Sequence, residues 1–228
     1  MSILLEVVAT SVESARAAER GGADRLELCV NLAQGGTTPP ADMIRAVRDS
    51  VHIPIHVMIR PRPGTFSYSE SELEQMRAEL QTATIIGADG VVLGILNSDL
   101  TVDVDRTRDL VRLARPLPVT FHRAFDETPD AQPALDHILE AGAARILTSG
   151  QQPSAFDGRI LIHDLVQRAG NRIRILAGAG INHKNARTLV QDTGVVEIHA
   201  ASAVMAENRI IDEDLVRSLK EIVQKEPT

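Results

Sequence analysis

A closed parallel (β/α)8 barrel is the fold class this sequence predicts, and three observations predict it. Eight short β-rich runs are each followed by a segment of helical period. No low-complexity linker or composition break interrupts them, and 228 residues suit the fold. The chain, residues 1–228, therefore reads as one barrel domain. A doubly wound open sheet is the alternative, and the lack of G-x-G-x-x-G after the first run weighs against it.

The first unit is ILLEVVA, Ile3 to Ala9, followed by SVESARAAERGGA, where Ser11 can cap a helix and the paired glycines can end it. RLELCV then precedes a helix from Ala41 to Ser50, and PIHVMIRP precedes one from Ser69 to Ile86. GVVLGIL leads to Asp103–Ala114, and PVTFHRAF to Asp130–Ala141. RILTSG, RILAGAG and VVEIHASA open the last three units, the final helix ending near Val223. GGAD, IGADG and AGAAR sit just before strands and mark helix-to-strand turns, where glycine reaches positive φ without a Cβ clash.

Composition narrows the function. With 43% hydrophobic and 24% charged residues, the chain resembles an ordinary soluble globular protein with enough apolar material for a large core. A formal charge of −7, without a concentrated Lys/Arg run, opposes binding to nucleic acid or to anionic lipid, so the expected partners are small molecules or protein. Cys29 is the only cysteine, which excludes an intramolecular disulfide and fits a reducing compartment. No signal-peptide pattern and no run of about 18 apolar residues is found, so the expectation is a cytoplasmic protein off the membrane.

Strand side chains alternate between faces, and in a barrel one parity enters the lumen while the other packs beneath the helices. Leu5 and Val7 oppose Glu6; Leu26 and Leu28 oppose Glu27 and Cys29; Ile55, Val57 and Ile59 oppose His56, Met58 and Arg60. In PVTFHRAFD, Val119, Phe121 and Phe125 oppose Thr120, His122 and Asp126, and near the C-terminus Glu197 and His199 oppose Ile198. The oily parity belongs under the helices, leaving Glu6, Glu27, His56, Arg60, His122, Asp126 and His199 for the lumen. Arg123 breaks the alternation, and either a bulge or the end of regular pairing turns it toward the mouth. Chemistry in such barrels occurs at the C-terminal strand ends, where Arg60, Arg123 and Asp126 lie.

Titratable groups gathered in one cleft are the signature of a site. An acid/base set of His56, His122, Glu6, Glu27 and Asp126 can exchange protons near neutral pH, with a glutamate orienting an imidazole. Arg60 and Arg123 can clamp a small anionic molecule, a carboxylate or phosphate. His199, Thr148 and Ser149 of TSGQQP, and Gly178 and Gly180 of AGAGIN, complete the expected binding set, Asn182 being placed to cap the next helix. No strand carries a lysine, which disfavours Schiff-base chemistry. Cys29, with Met58 and the histidines, is the candidate copper ligand, since Cu(I) prefers thiolate and thioether.

Taken together, LLEVVATSVESARAAERGGADRLELC, NLAQGGTTP, IPIHVMIRPRPGTFSYS, GADGVVLGIL, PVTFHRAFD, RILTSG and EIHASA are similar to the CutC family over nearly the whole chain. The combination of HVMIRPR, TFHRAFD and ILTSG is specific to it. The resemblance implies a TIM-like barrel in the cytoplasm that self-associates, a dimer being favoured, and that is linked to copper homeostasis with a copper ion as ligand or cofactor. Its shared polar set matches Glu6, Glu27, Cys29, His56, Arg60, His122, Arg123, Asp126, Thr148, Ser149 and His199. Two departures stand out. The first strand reads EVVATS where relatives often carry a cysteine after EV, and the seventh reads LAGAGIN where many have MPGGGIN. The missing second thiol weakens the case for tight Cu(I) binding. Three functions follow as expectations: copper handling through Cys29, an enzyme acting on a small anionic metabolite, and a scaffold for a protein partner.

Overall fold

A computed structural model describes residues 2–206 and 210–224. Its eight strands are β1 (Leu4–Ala9), β2 (Arg25–Leu28), β3 (Ile55–Met58), β4 (Gly90–Leu93), β5 (Val119–Phe121), β6 (Arg145–Thr148), β7 (Arg174–Ala177) and β8 (Glu197–Ala200). All pair in parallel with their sequence neighbours, and β8 pairs back with β1, which closes the barrel. Helices α1 (Val12–Arg20), α2 (Ala41–Arg48), α3 (Glu70–Ile86), α4 (Val104–Ala114), α5 (Ala131–Ala141), α6 (Arg159–Ala169), α7 (Ala186–Thr193) and α8 (Glu213–Gln224) follow the strands in turn. The closed barrel is the predicted fold, and the open sheet is excluded.

Local chemistry sets the helix ends. The Ser11 hydroxyl accepts from the Ser14 amide to start α1. Ser69 and Glu72 form a reciprocal capping box on α3, while Asp103 and Asp130 accept from the first-turn amides of α4 and α5. Gly87 and Gly142 follow α3 and α5 at φ of 102° and 89°, the positive values predicted for the turns into β4 and β6. Asn182 does not cap α7: its side-chain oxygen accepts from the Lys184 amide, and the helix begins only after Asn185.

Alternation operates as the sequence implies. Leu5, Val7, Leu26, Leu28, Val57, Val91, Phe121, Ile146 and Ile198 join the main core shared with the helices. The opposite parity fills the lumen, though not with polar groups alone. Val8, Cys29, Met58 and Val92 form a separate apolar cluster there. This layer divides the lumen: charged pairs of Arg25, Glu197 and Arg145 lie beneath it, and the mouth opens above.

Two glycines, one opening β4 and one just past its end, explain how the lumen accommodates its imidazoles. His56 lies opposite Gly90 in the ladder. A Cβ at Gly90 would come within 2.5 Å of the His56 ring, and one at Gly94 within 2.5 Å of the His122 ring. The strand thus presents backbone where its neighbours lay rings across it. Strand β5 stops at Phe121, and a 3₁₀ turn over Arg123–Glu127 follows, so the end of regular pairing directs Arg123 outward.

Candidate functional site at the barrel mouth

The floor of the lumen holds a closed ionic network. Arg25 donates to Glu6 and to Glu197 at 2.8 Å, and Arg145 donates to Glu197 at 2.6 Å and to the Thr120 hydroxyl at 3.3 Å. Burial favours the neutral forms of Glu6 and Glu197, but the guanidinium groups outweigh it and hold both carboxyls below the usual range. Arg25 and Arg145 were not among the expected site residues. Their parity, shared with Glu27 and Leu147, is the signal that could have placed them inside.

Glu6 also links floor to mouth, because its second oxygen holds His199 Nδ1 at 2.8 Å. That contact leaves His199 Nε2 facing Glu27 at 3.9 Å. Burial alone would lower the affinity of His199 for a proton; the charge of Glu27 and the hydrogen bond to Glu6 reverse this and raise it. Burial pushes Glu27 up to about 7, helped by the charge of Glu6 and opposed by His199. Glu27 is 3% exposed and its Oε1 has no hydrogen-bond partner.

His122 is the second buried group with an open valence. Its Nδ1 accepts from the Ala124 amide at 3.2 Å, which fixes the neutral ring with its proton on Nε2. Nε2 has no partner. Burial, reinforced by the charge of Arg60, lowers His122 to about 3, so the ring stays neutral across the physiological range. Phe66 packs against it with ring centroids 4.7 Å apart. His56 is lowered to about 4 by burial, and it lies deeper, outside the residues that line the mouth.

A cavity of about 680 Å³ opens above these groups, lined by Glu27, His122 and His199 together with Arg60, Arg123, Asp126 and Gly180. The structure thus gathers seven of the expected residues at one surface. Glu6, His56, Cys29, Thr148, Ser149 and Gly178 are close by but do not line it. Met58, expected beside Cys29 as a copper ligand, lines it too; Leu32, Phe66, Gln151 and Ile181 line it without having been expected as binding residues, because loop paths rather than strand parity bring them there.

Several expected roles need revision. Arg60 is 4% exposed and donates to the carbonyls of Gln34, Gly36 and Gly64 at 3.0, 2.9 and 2.8 Å, with Phe66 stacked on its guanidinium. Those bonds tie the β2–α2 loop to the β3–α3 loop and occupy three of the five N–H donors, while the buried Nε has no partner. Asp126 accepts from Arg123, from the Thr148 and Ser149 hydroxyls, and from the Ser149 and Gln151 amides. The Asp126 oxygens are thus taken up within the protein, and Thr148 and Ser149 serve that carboxylate rather than a ligand. Together they staple the loop after β6. Cys29 is fully buried in the apolar layer, and burial with the nearby charge of Glu27 pushes its thiol up, the opposite of what a thiolate ligand requires.

Glu6, Glu27 and His199 form a group whose ligand atoms lie within 4.8 Å of one another, close enough to share a metal ion. No helix among the described residues is long and apolar enough to cross a membrane.

Comparison with known proteins places this arrangement. The CutC family model matches residues 3–204. The copper homeostasis protein cutC homolog of Homo sapiens is 47% identical over 199 residues, spanning 87% of this chain and 73% of that protein. A family protein CutC of Pasteurella multocida is 41% identical over 241 residues, spanning 97% of this chain and 99% of that protein. The crystal structure of a CutC from Streptococcus agalactiae superimposes with a TM-score of 0.83 at 35% identity, covering 86% of this chain and 97% of that one. Thiamine phosphate pyrophosphorylase from Pyrococcus furiosus, at a TM-score of 0.67 and 21% identity over 97% of this chain and 95% of that one, shares the barrel alone. With the same barrel and a match across most of its length, the chain belongs to the CutC family.

Proposed function

We propose that the barrel mouth is the active site of an enzyme that moves a proton next to a carbonyl group of a small metabolite. One observation carries this reading: Glu27 and His122 are both buried, both line the cavity, and each has a polar atom without a partner. Buried polar atoms cost free energy unless a ligand or water completes them. Their chemistry is complementary. Glu27, pushed up to about 7, accepts a proton near neutral pH and returns it. His122, kept neutral with Nε2–H outward, donates a hydrogen bond to the carbonyl oxygen on which enolate charge develops. A raised glutamate paired with a neutral histidine is the pattern that proton abstraction beside a carbonyl requires. Glu6 orients the His199 ring whose Nε2 faces Glu27, and Asp126 fixes the neighbouring rim.

The test is hydrogen exchange in deuterated water, followed by proton NMR over a panel of small hydroxy-carbonyl and keto compounds. At least one compound should exchange its α-proton, and Glu27→Gln and His122→Gln should each slow exchange about 10²- to 10⁴-fold. No exchange across the panel, or exchange untouched by Glu27→Gln, overturns the proposal.

A second reading is favoured by the Glu6–Glu27–His199 group and by the names of the relatives: copper binding. The donors decide the oxidation state. Cu(I) seeks thiolate, and the buried Cys29 thiol does not fit it. Imidazole and carboxylate suit Cu(II): His199 Nε2 and Glu27 would hold the ion, with Glu6 orienting the ring through Nδ1. Titration of metal-free protein with Cu(II) should then give binding that Cys29→Ser keeps and His199→Gln loses. Loss of binding with Cys29→Ser instead would restore the thiol as the ligand.

A further inference from the structure

The groups invoked so far leave one side of the mouth unexplained. After β7 the chain turns through Ala179 and Gly180, both at positive φ, 76° and 70°. The carbonyls of this turn are occupied. Ala179 O accepts from the Ala155 amide at 2.9 Å, and Gly180 O accepts from the side-chain amides of Asn182 and Asn185 at 3.1 and 2.9 Å. Its amides are not: among the described residues, Ala179, Gly180 and Ile181 donate no main-chain hydrogen bond, and neither does Ala201 just past β8. A peptide unit is planar and trans, so a carbonyl engaged on one side sends the next N–H to the other. The Asn pair and Ala155 therefore orient the Ile181 and Gly180 amides away from themselves. Ala179, Gly180, Ile181, Ala201 and the exposed Ser202 all line the cavity.

Side chains are kept out of this corner. A Cβ at Gly178 would meet Leu147 at 2.6 Å and His199 at 3.3 Å, and one at Gly180 would meet Ser154 at 2.8 Å. Of the three acidic residues lining the mouth, Asp126 is paired with Arg123 and the loop donors already described, which leaves Glu27 and the exposed Glu127. Independent of the turn, the unpartnered atoms of Glu27 and His122, residues 3% and 4% exposed, mark the same cavity as one that receives a ligand. Four amides from two loops and the Ser202 hydroxyl suit an oxyanion, and the three oxygens of a phosphate ester can take them together. The ends of the seventh and eighth strands are where barrels of this architecture hold phosphate.

We propose that the ends of β7 and β8 form a subsite for the phosphate group of a small phosphomonoester, held by the amides of Ala179, Gly180, Ile181 and Ala201 and by the Ser202 hydroxyl. The inference rests on the proton-transfer reading and deepens it: the phosphate anchors one end of the substrate while the carbonyl end faces Glu27 and His122.

Isothermal titration and thermal unfolding with glycerol phosphate, inorganic phosphate and glycerol test it. Glycerol phosphate should bind saturably and raise the melting temperature, and glycerol should not. Ser202→Asp should weaken binding tenfold or more, and Ser202→Lys should strengthen it. Inorganic phosphate binding as well as the ester would support the subsite and assign it to the free ion; tighter binding of the ester assigns it to a substrate. No saturable binding of either phosphate compound, or binding equal in Ser202→Asp and Ser202→Lys, overturns the subsite and leaves the proton-transfer reading standing. Phosphate binding without deuterium exchange in any carbonyl compound overturns the proton-transfer reading and leaves the subsite.

Discussion

The floor and the mouth of this barrel are built from the same kinds of residue and behave in opposite ways. On the floor, Arg25, Arg145, Glu6 and Glu197 satisfy one another, and each charge faces its complement. A few ångströms above, Glu27 and His122 are equally buried, yet each keeps an atom unpaired. Burial of charged residues therefore says little about function by itself. What distinguishes a site from a staple is the donor or acceptor left over after the protein has paired everything it can.

Breaking the floor should have the largest effect. Glu197→Ala leaves Arg145 without its carboxylate and Arg25 with Glu6 alone, and should cost about 3–5 kcal/mol in urea unfolding, because removing one partner leaves uncompensated charge. A loss below about 1 kcal/mol would show that water reaches the floor and that the contrast with the mouth is false. Overfilling comes next. Gly94→Ala pushes a methyl into the His122 ring and should destabilise by about 1–3 kcal/mol while also abolishing mouth chemistry; a fully active, stable variant would mean the ring is free to move.

The dependence on pH sharpens the comparison further. His56 and His122 sit below their ordinary value of 6.5, so the stability they lend is complete above that pH and is lost as pH falls toward 4 and 3. Glu27 sits above its ordinary value of 4.5, so its contribution has the opposite sense: complete below 4.5 and lost as pH rises through about 7. The stability difference between wild type and Glu27→Gln should accordingly shift in favour of the variant from pH 5 to pH 8, read from urea midpoints at each pH. A difference that stays constant would place Glu27 in water. The smallest effect is expected from Arg123→Ala. That side chain is 45% exposed, and its pairing with Asp126 should be worth less than about 1 kcal/mol.

The strands were the legible part of the sequence, for a physical reason. A period of two sorts side chains between lumen and helices without any knowledge of loops, and it selected Glu6, Glu27, His56, His122 and His199 correctly as inward residues. The same rule covered Arg25 and Arg145, but an arginine opening a strand reads as a solvated end, and only barrel closure shows that it points at Glu197. Loops were less legible. Asp126, Thr148 and Ser149 look like binding residues in sequence because nothing there reveals that they satisfy one another. Phe66 and Gln151 carried no signal at all, since their place at the rim depends on how two long connections fold back over the mouth.

The tether made by Arg60 has a consequence for how the entrance responds to its surroundings. Its guanidinium binds three main-chain carbonyls, which carry no titratable proton. The rim above β2 and β3 therefore keeps one shape while the interior changes charge as Glu27 gains or loses its proton. Acidity tunes what this chamber attracts and leaves the size of its doorway alone.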